Sequence, residues 1–454
     1  MTRRRLLAAA AGSAVLAACT TPIGADELPP IVFVPGNGDT AALWMPTIWR
    51  FESNGWPRSR LFALDMPYPL ARDDDTKEQP GRSSAAEHMA YLSAQVKQVL
   101  AATGAKKVAL VGNSRGGYAI RNFVANGGGA ALVSHVVLGG APNHGVYADA
   151  ARRPGNEFNG AGPFLSALNR GSGDGNEVTP GVAWLTIRSD RNDKYAQPDG
   201  ALLGAPGMAT HVTAEGPALK GADNVVIAGV DHRETAFSPE AFAATFRFIA
   251  GRPPATLAIV PEAKVVLDGV VSGLGLDNRE GDFATNLPLA GATVEVYATS
   301  AATGERLGLA LHRKTIGADG HWGPFVADGA AHYEFVVAAP GYATTHIYRS
   351  PFPRSSSYVS VHPERLAAAD RDAASIVTLT RPRGYFGVGR DRMSLDGASP
   401  PPGVPAGVPS VSASQLRLAD AASRPIAGEF NGERIVGRIW PRADNQVTVL
   451  ELTY

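Results

Sequence analysis

The segment Val108–Ile120 limits the possible folds of this chain more than any other. It starts with four apolar residues that suit a buried parallel strand, continues as Gly-Asn-Ser-Arg-Gly, and ends in a helix-compatible stretch. A serine between strand and helix, flanked here by Gly112 and Gly116, is typical of a nucleophile elbow. This turn exposes the hydroxyl of Ser114 and places the amide of Arg115 at a helix N-terminus, where a developing negative charge is stabilised. The pattern predicts a serine nucleophile; the alternative is a Gly-rich loop whose serine only caps a helix.

A second short apolar run, Pro30–Val34, ends in a Pro-Gly-Asn-Gly turn. A phosphate-binding loop would end in Lys followed by Ser or Thr, or would read G-x-G-x-x-G, and this turn does neither. Upstream of a nucleophile elbow, such a turn instead predicts the second half of an oxyanion hole, because its backbone N–H groups can point at the oxyanion. The predicted donor is the amide of Asn37 or that of Gly38.

A strand–helix–strand crossover is predicted between these two motifs. The stretch Arg60–Met66 is typical of a strand, and Ser84 with Glu87 forms a capping-box pattern for a helix that runs to about Ala102. The Val108 strand follows, so that two strands and the helix between them form the βαβ unit expected before an elbow.

In the order of these motifs, the chain resembles the α/β-hydrolase superfamily and, within it, the secreted bacterial lipases and esterases. Those enzymes usually carry His-Gly at the oxyanion turn, where this chain has Pro35-Gly36. The donor stays in place because it is a backbone amide. The resemblance implies an α/β fold with a mainly parallel sheet and flanking helices. It also implies hydrolysis of ester or lipid substrates without a cofactor or metal.

Two further strands are predicted to deliver the acid and the base of a Ser-His-Asp triad. The first, Val182–Ser189, runs into a turn that contains Asp190 and Asp193. The resemblance favours Asp193, because the superfamily's acid turn, Asp-x-x-Val-x-Pro, matches the sequence from this residue onward with Ala in place of Val. The second strand, Asn224–Val230, leads to His232, the predicted general base, whose tautomer the carboxylate would fix. The chain order Ser, Asp, His is that of the α/β-hydrolases.

Two other histidines are alternatives for the base. His211 lies in a Gly/Ala/Thr-rich stretch with no strand before it. His144 lies in the turn Gly139–Gly145, which resembles a turn common in lipases, and it precedes every candidate acid, so a structural or pocket-lining role is predicted. The segment 150–179, rich in Gly and Asn, is either a cap over the site, as in this superfamily, or an ordinary loop.

The length of 454 residues predicts two to three domains. The catalytic α/β domain is placed at 28–252 and ends before a Pro-Pro pair. Beyond it, short β-rich runs are separated by Gly, Asp, Asn and Pro, which is typical of a sandwich. Residues 255–372 resemble the transthyretin-like, carboxypeptidase-regulatory type of β-sandwich. Residues 373–454 are predicted to form a further β-rich module, and such modules are usually non-catalytic.

The N-terminus is predicted to be an export signal. Arg3-Arg4-Arg5 precede a short apolar run and small residues up to Cys19, and this run is too short to span a bilayer. The pattern Leu-Ala-Ala-Cys resembles a bacterial lipobox, which implies cleavage after residue 18, a lipidated Cys19, a linker at 20–27 and membrane attachment. The expected location is the outer membrane, the periplasm or the medium. A simple secretory peptide is the alternative. Cys19 is the only cysteine, so no intramolecular disulfide is expected.

The charge balance gives no reason to expect a nucleic-acid partner, since 42 Lys and Arg residues offset 42 Asp and Glu residues. The sequence therefore predicts an exported lipase or carboxylesterase. A polyester depolymerase is the nearest alternative, because β modules can dock an enzyme on an insoluble polymer. A cell-surface binding protein with a vestigial hydrolase domain is an alternative of a different class.

Overall fold

A computed structural model describes residues 28–171, 173–274 and 284–454. The predicted signal peptide, its lipidation residue Cys19 and the linker at 20–27 lie outside the described residues, so these features stay predictions. Within the described ranges, no helix combines the length and the apolar composition needed to cross a bilayer.

Six parallel strands form one sheet in the N-terminal half, in the spatial order β2-β1-β3-β4-β5-β6. The strands are β1 (Ile31–Val34), β2 (Leu61–Ala63), β3 (Val108–Asn113), β4 (Val133–Gly139), β5 (Ala183–Ser189) and β6 (Asp223–Ile227). Since β1 is hydrogen-bonded to β3 and Val34 is in register with Gly112, the turn after β1 and the elbow after β3 lie side by side at the C-terminal ends of these strands.

Helices cover both faces of this sheet. They are α1 (Met45–Ser53), α2 (Ala85–Thr103), α3 (Arg115–Asn126), α4 (Pro163–Leu168), α5 (Glu234–Phe237) and α6 (Pro239–Ala250). Successive strand residues point to opposite faces. Ile31 and Phe33 of β1 therefore pack in one core with residues of α1 and α6, whereas Val32 and Val34 pack in another core with α2 and α3. The predicted α/β class with a mainly parallel sheet is confirmed.

The helices α2 and α6 begin with the capping residues that are expected from their local sequence. At the start of α2, Ser84 and Glu87 form the predicted capping box, each side chain accepting from the other residue's backbone N–H. Helix α6 begins at Pro239, a residue favoured at the first helical position, with Ser238 as its N-cap, and ends at Ala250. Both β2 and β6 are shorter than the stretches predicted for them.

The C-terminal part is all-β, as predicted. Its strands are β7 (Val265–Leu267), β8 (Ser272–Leu274), β9 (Ala284–Pro288), β10 (Thr293–Thr299), β11 (His312–Thr315), β12 (Phe325–Ala327), β13 (His332–Ala338), β14 (Thr344–Arg349), β15 (Ser375–Thr380), β16 (Met393–Leu395), β17 (Ala413–Leu418), β18 (Pro425–Phe430), β19 (Glu433–Arg438) and β20 (Gln446–Glu451). Seven of them form the largest sheet, in the order β11-β10-β13-β14-β20-β15-β17.

This seven-stranded sheet contains strands from both predicted C-terminal modules. The last strand, β20, pairs in parallel with β14 on one side and with β15 on the other. The predicted boundary between residues 372 and 373 therefore falls inside one sheet, because strands far apart in sequence supply each other's hydrogen-bond partners. Local composition, from which the boundary was predicted, carries no information on such pairing.

Helix α1 joins the α/β half to the β half. Its Ile48 and Phe51 pack under the parallel sheet, whereas Met45 and Trp49 belong to the core of the β half. The indole N–H of Trp49 donates to the carbonyl of Ser355 at 2.9 Å. The two halves thus share buried apolar contacts, which fixes the C-terminal part against the edge of the α/β half.

Candidate active site

Ser114 lies at the junction of β3 and α3, in a backbone conformation that only a sharp turn produces. It has φ 52° and ψ −122°, and α3 begins at the next residue, Arg115. The turn is tight enough to exclude side chains at both flanking glycines. A Cβ on Gly116 would meet the carbonyl oxygens of Val34 and Pro35, the latter at 2.6 Å, and a Cβ on Gly112 would come within 3.0 Å of the Gly116 carbonyl carbon.

Gly116→Ala is therefore expected to destabilise the protein, because backbone atoms of β1 cannot yield as a flexible side chain would. We expect a loss of about 1–3 kcal/mol in the free energy of unfolding, the usual cost of overpacking. Urea unfolding followed by circular dichroism measures it. Gly317→Ala is the control, since its Cβ would find only Asp319 Oδ1 at 3.4 Å, an ordinary contact. Equal stability of both variants would contradict this account of the elbow.

His232 follows β6 and is held by one carboxylate. Its Nδ1 lies 2.9 and 3.0 Å from the two carboxylate oxygens of Asp193, which follows β5. Its Nε2 is buried and has no hydrogen-bond partner among the described residues. Because an acceptor faces Nδ1, the proton of a neutral ring is placed there and Nε2 is left free to accept one.

The alternative acid, Asp190, has other partners. Its Oδ1 accepts from the backbone N–H of Asn192 at 3.1 Å, and its Oδ2 accepts from that of Gly229 at 3.0 Å. Burial acts to raise the pKa of Asp190, but these donors lower it below its ordinary value. Asp190 therefore ties the turn after β5 to the end of β6, and Asp193 is the carboxylate that reaches His232.

The two candidate donors after β1 differ in their contacts. The amide of Gly38 donates to the carbonyl of Pro69 at 3.2 Å, so its hydrogen is already engaged. Asn37 lines the same cavity as Ser114, and its side-chain Oδ1 fixes the turn by accepting from Ala71 N at 2.7 Å. The geometry favours the amide of Asn37, together with that of Arg115, over the amide of Gly38.

A cavity of about 210 Å³ lies above Ser114 and His232. Its lining residues are Asn37, Asp39, Ser114, Val146, Phe158, Tyr195, Leu203, His232, Arg233 and Tyr385. The ring of Tyr195 meets that of His232 edge-on, with centroids 4.6 Å apart. Burial raises the pKa of Tyr195 and raises that of Tyr385 well above its ordinary value, so both phenols stay protonated at neutral pH.

The segment 150–179 contributes to this cavity through Phe158 and is anchored to the elbow helix. Glu157 and Arg115 form a buried pair with two hydrogen bonds of 2.5 and 3.0 Å, and their side chains are 1% and 0% exposed. Phe158 and Phe164 pack against Tyr118 of α3. The segment 150–179 therefore forms a wall of the site. The ion pair between Glu157 and Arg115 fixes the part of the segment that carries Phe158.

Glu157→Gln is expected to destabilise the protein by about 3–5 kcal/mol, because the guanidinium of Arg115 would be left buried without its counter-charge. Thermal unfolding and urea titration measure the loss. Asp73→Asn is the matched control: it removes an exposed pair with Arg153 at 3.9 Å, which is worth at most about 1 kcal/mol. A loss of similar size in both variants would contradict the role of the buried pair.

The other two histidines lie away from this cavity. His144 Nε2 contacts Glu177 Oε1 at 3.0 Å, which agrees with a structural role, and His211 is exposed. Both line a neighbouring cavity of about 360 Å³ whose wall includes Asp193. Across the described residues, no group of three His, Cys, Asp or Glu side chains has a metal-binding arrangement.

Arg233 and Tyr385 also line the cavity above Ser114, and neither was predicted from the sequence. Arg233 forms an ion pair with Asp39, and its guanidinium lies over the ring of Tyr385 at 4.9 Å. Arg233 could have been suspected from its place beside His232. Tyr385 comes from the C-terminal β half, and no local pattern in the sequence connects it with Ser114.

Two family models match the chain. One, described as alpha/beta hydrolase fold, matches residues 29–202. The other, described as lipase C-terminal domain, matches residues 263–366. Among curated proteins, none matches the chain significantly in sequence.

Solved structures resemble the chain at low sequence identity. Lipase B of Aspergillus fumigatus is 14% identical with a TM-score of 0.34, and the match covers 51% of this chain and 54% of that one. The chain thus spans about half the length of that lipase. The propeptide form of Bacillus licheniformis lipase BlEst2 is 15% identical with a TM-score of 0.37, covering 92% and 94%. Carboxylesterase CesB of Bacillus subtilis is 15% identical with a TM-score of 0.26, covering 50% and 85%. At these scores, the family assignment rests on the two family models.

Proposed function

We propose that this chain, whose residues 29–202 match the alpha/beta hydrolase fold model and whose residues 263–366 match the lipase C-terminal domain model, is a serine hydrolase that cleaves carboxylic esters. The observation that supports the proposal is the hydrogen bonding of the two ring nitrogens of His232. Asp193 binds its Nδ1 at 2.9 Å, while its Nε2 is buried beside the cavity that Ser114 lines and has no hydrogen-bond partner in the described part of the chain. A histidine held in this way is arranged to take a proton from the serine hydroxyl.

In the proposed first step, Ser114 Oγ attacks the ester carbonyl carbon while His232 Nε2 accepts the hydroxyl proton. The carbonyl oxygen becomes an oxyanion, which the amides of Asn37 and Arg115 stabilise by donating hydrogen bonds. Asp193 stabilises the imidazolium without taking its proton. When the intermediate collapses, the bond from carbonyl carbon to alkoxy oxygen breaks, and the leaving alcohol takes the proton from Nε2.

In the second step, water hydrolyses the acyl-enzyme. Nε2 accepts a proton from the water as its oxygen attacks the acyl carbon, and the same two amides hold the new oxyanion. Collapse breaks the bond to Ser114 Oγ, which takes the proton back from His232, and the carboxylic acid leaves. Each residue has returned to its starting state, so the proposed cycle needs no cofactor.

The size of the cavity favours small acyl groups. Its apolar wall consists of Val146, Phe158 and Leu203, and its volume of about 210 Å³ is below the roughly 300–1,000 Å³ typical of pockets for drug-sized ligands. An adjoining cavity of about 220 Å³ shares this wall, but its other lining residues include charged side chains such as Arg72, Asp73 and Arg82, which do not suit a long alkyl chain. We therefore propose that the enzyme acts as a carboxylesterase on short acyl chains in preference to a lipase of long chains.

Initial rates on p-nitrophenyl esters from acetyl to palmitoyl test this proposal. We expect kcat/KM to be highest among the short acyl chains and to fall towards palmitoyl. A paraoxon-treated sample is the control, because this phosphorylating agent blocks an activated serine. If the untreated protein hydrolyses none of the esters, the proposed function is wrong. If the palmitoyl ester is the best substrate, the preference for short acyl chains is wrong but the assignment as an ester hydrolase stands.

A further inference from the structure

We propose that Arg381, which lies in the C-terminal β half, is a positioning residue for the reaction proposed above. It holds the histidine loop, defined here as residues 231–234, which carries His232 and ends at the first residue of α5. The inference rests on the proposed function and adds a second part to the active site. Neither family match, 29–202 or 263–366, extends to Arg381.

The first contact is made through Asp231, the residue directly before His232. Its Oδ2 accepts from Arg381 Nη1 at 2.8 Å and from the backbone N–H of Tyr385 at 2.7 Å. Its Oδ1 accepts from the backbone N–H groups of Arg233 and Glu234 at 2.8 and 2.9 Å. Asp231 is 0% exposed. Its Oδ1 therefore depends on donors from the histidine loop, and its Oδ2 depends on donors from the C-terminal half.

The second contact is made through Glu234, at the end of the same loop. Its Oε1 accepts from Arg381 Nη2 at 2.5 Å, and its Oε2 accepts from Arg390 Nη1 at 2.8 Å. Glu234 Oε2 also accepts from the backbone N–H of Asp231 at 2.6 Å, which closes the loop on itself. One guanidinium therefore bridges both carboxylates of the histidine loop, a planar fork geometry that lysine cannot reproduce.

The α/β half holds the loop from the opposite side. The carbonyl of His232 accepts from Thr235 Oγ1 at 2.7 Å and from the side-chain amide of Asn113 at 3.3 Å. These bonds fix the backbone of the histidine, whereas Oδ2 of Asp231 accepts from donors of the C-terminal half. Both sets of contacts are needed to set where the imidazole Nε2 points relative to Ser114.

The acid turn is also tied to the C-terminal half. Lys194, next to Asp193, donates to the carbonyl of Ser410 at 2.8 Å, and its ammonium lies 4.5 Å from the centroid of the Tyr385 ring. Tyr385 in turn lines the cavity above Ser114. The segment 381–385 therefore contacts both the histidine loop and Lys194 in the turn that carries Asp193. Such contacts can fix the positions of His232 and Asp193 relative to each other.

Arg381→Gln in the full chain tests the inference with a soluble p-nitrophenyl ester. We expect kcat to fall by about 10²-fold, the effect of a misplacement of about 1 Å in a catalytic group, while KM changes less than about twofold. Arg381→Lys is expected to recover part of kcat, because an ammonium can contact one of the two carboxylates. Asp231→Asn with Arg381→Gln is expected to be no slower than the slower single variant, since both changes break the same contact.

Arg349→Gln is the matched control. Arg349 is as buried as Arg381 and pairs with Glu451 at 2.5 Å inside the C-terminal sheet, so its loss tests general destabilisation of the β half. We expect a lower Tm with kcat close to that of the wild type. Wild-type kcat in a folded Arg381→Gln protein would overturn the inference. So would an equal fall of kcat in both variants.

If Arg381→Gln does not fold, Arg381→Lys alone decides. A folded Lys variant with unchanged kcat and KM overturns the inference, and one with kcat lowered about tenfold at unchanged KM supports it. Failure of the proposed function has a different signature, because the wild type would then show no ester hydrolysis sensitive to paraoxon.

Discussion

Ser114→Ala is expected to lower kcat for p-nitrophenyl butyrate by about 10⁶-fold, the loss seen when the nucleophile of a serine triad is removed. The variant keeps His232 and the backbone amides of Asn37 and Arg115, so the remaining rate would come from binding and oxyanion stabilisation alone. Ser114 has φ 52°, a conformation that costs alanine about as much as serine because both carry a Cβ, so we expect Tm to be close to that of the wild type. Progress curves at saturating ester measure the rate.

Ser134→Ala is the control for this experiment. Its hydroxyl donates to the carbonyl of Val108 at 3.2 Å at the start of β4, at the opposite end of β3 from the elbow. We expect its kcat to stay within about twofold of the wild type, as for a substitution outside the reacting groups. If Ser114→Ala kept more than about one hundredth of wild-type kcat, another nucleophile would have to be sought.

Asp193→Asn is expected to lower kcat by about 10⁴-fold, since an amide in place of the carboxylate favours the wrong imidazole tautomer and does not stabilise the imidazolium. Asp190→Asn separates this effect from damage to the turn. It removes the charge from a carboxylate that accepts from Ser189, Asn192 and Gly229, so we expect a lower Tm with kcat reduced less than tenfold. Stopped-flow kinetics and thermal melts on both variants provide the comparison, and equal losses of kcat would contradict the assignment of Asp193.

The fold of the α/β half could be predicted because its signals are local. The elbow, the capping box of α2 and the helix that begins at Pro239 each depend on residues within a few positions of one another. The choice between Asn37 and Gly38 could not be made in this way. It is decided by the carbonyl of Pro69, which lies in a loop about thirty positions downstream.

The contribution of the C-terminal half to the site was not predictable for the same reason. Arg381 and Tyr385 lie about 150 positions after the histidine loop, and only the folded chain brings them to Asp231. The split into two β modules also depended on local composition, whereas β20 enters the sheet between β14 and β15. Pairing between distant segments leaves little trace in the sequence of either one.

Covalent labelling tests the assignment of Ser114 and His232 most directly. The full chain is treated with a fluorophosphonate, which phosphonylates an activated nucleophile with loss of fluoride, and intact-mass analysis with peptide mapping locates the adduct. We predict one adduct per chain, on Ser114, formed at least about 10³-fold more slowly in His232→Ala, where the base that activates the serine is absent. An adduct on another residue, or equal labelling rates in the wild type and His232→Ala, would contradict the proposed mechanism.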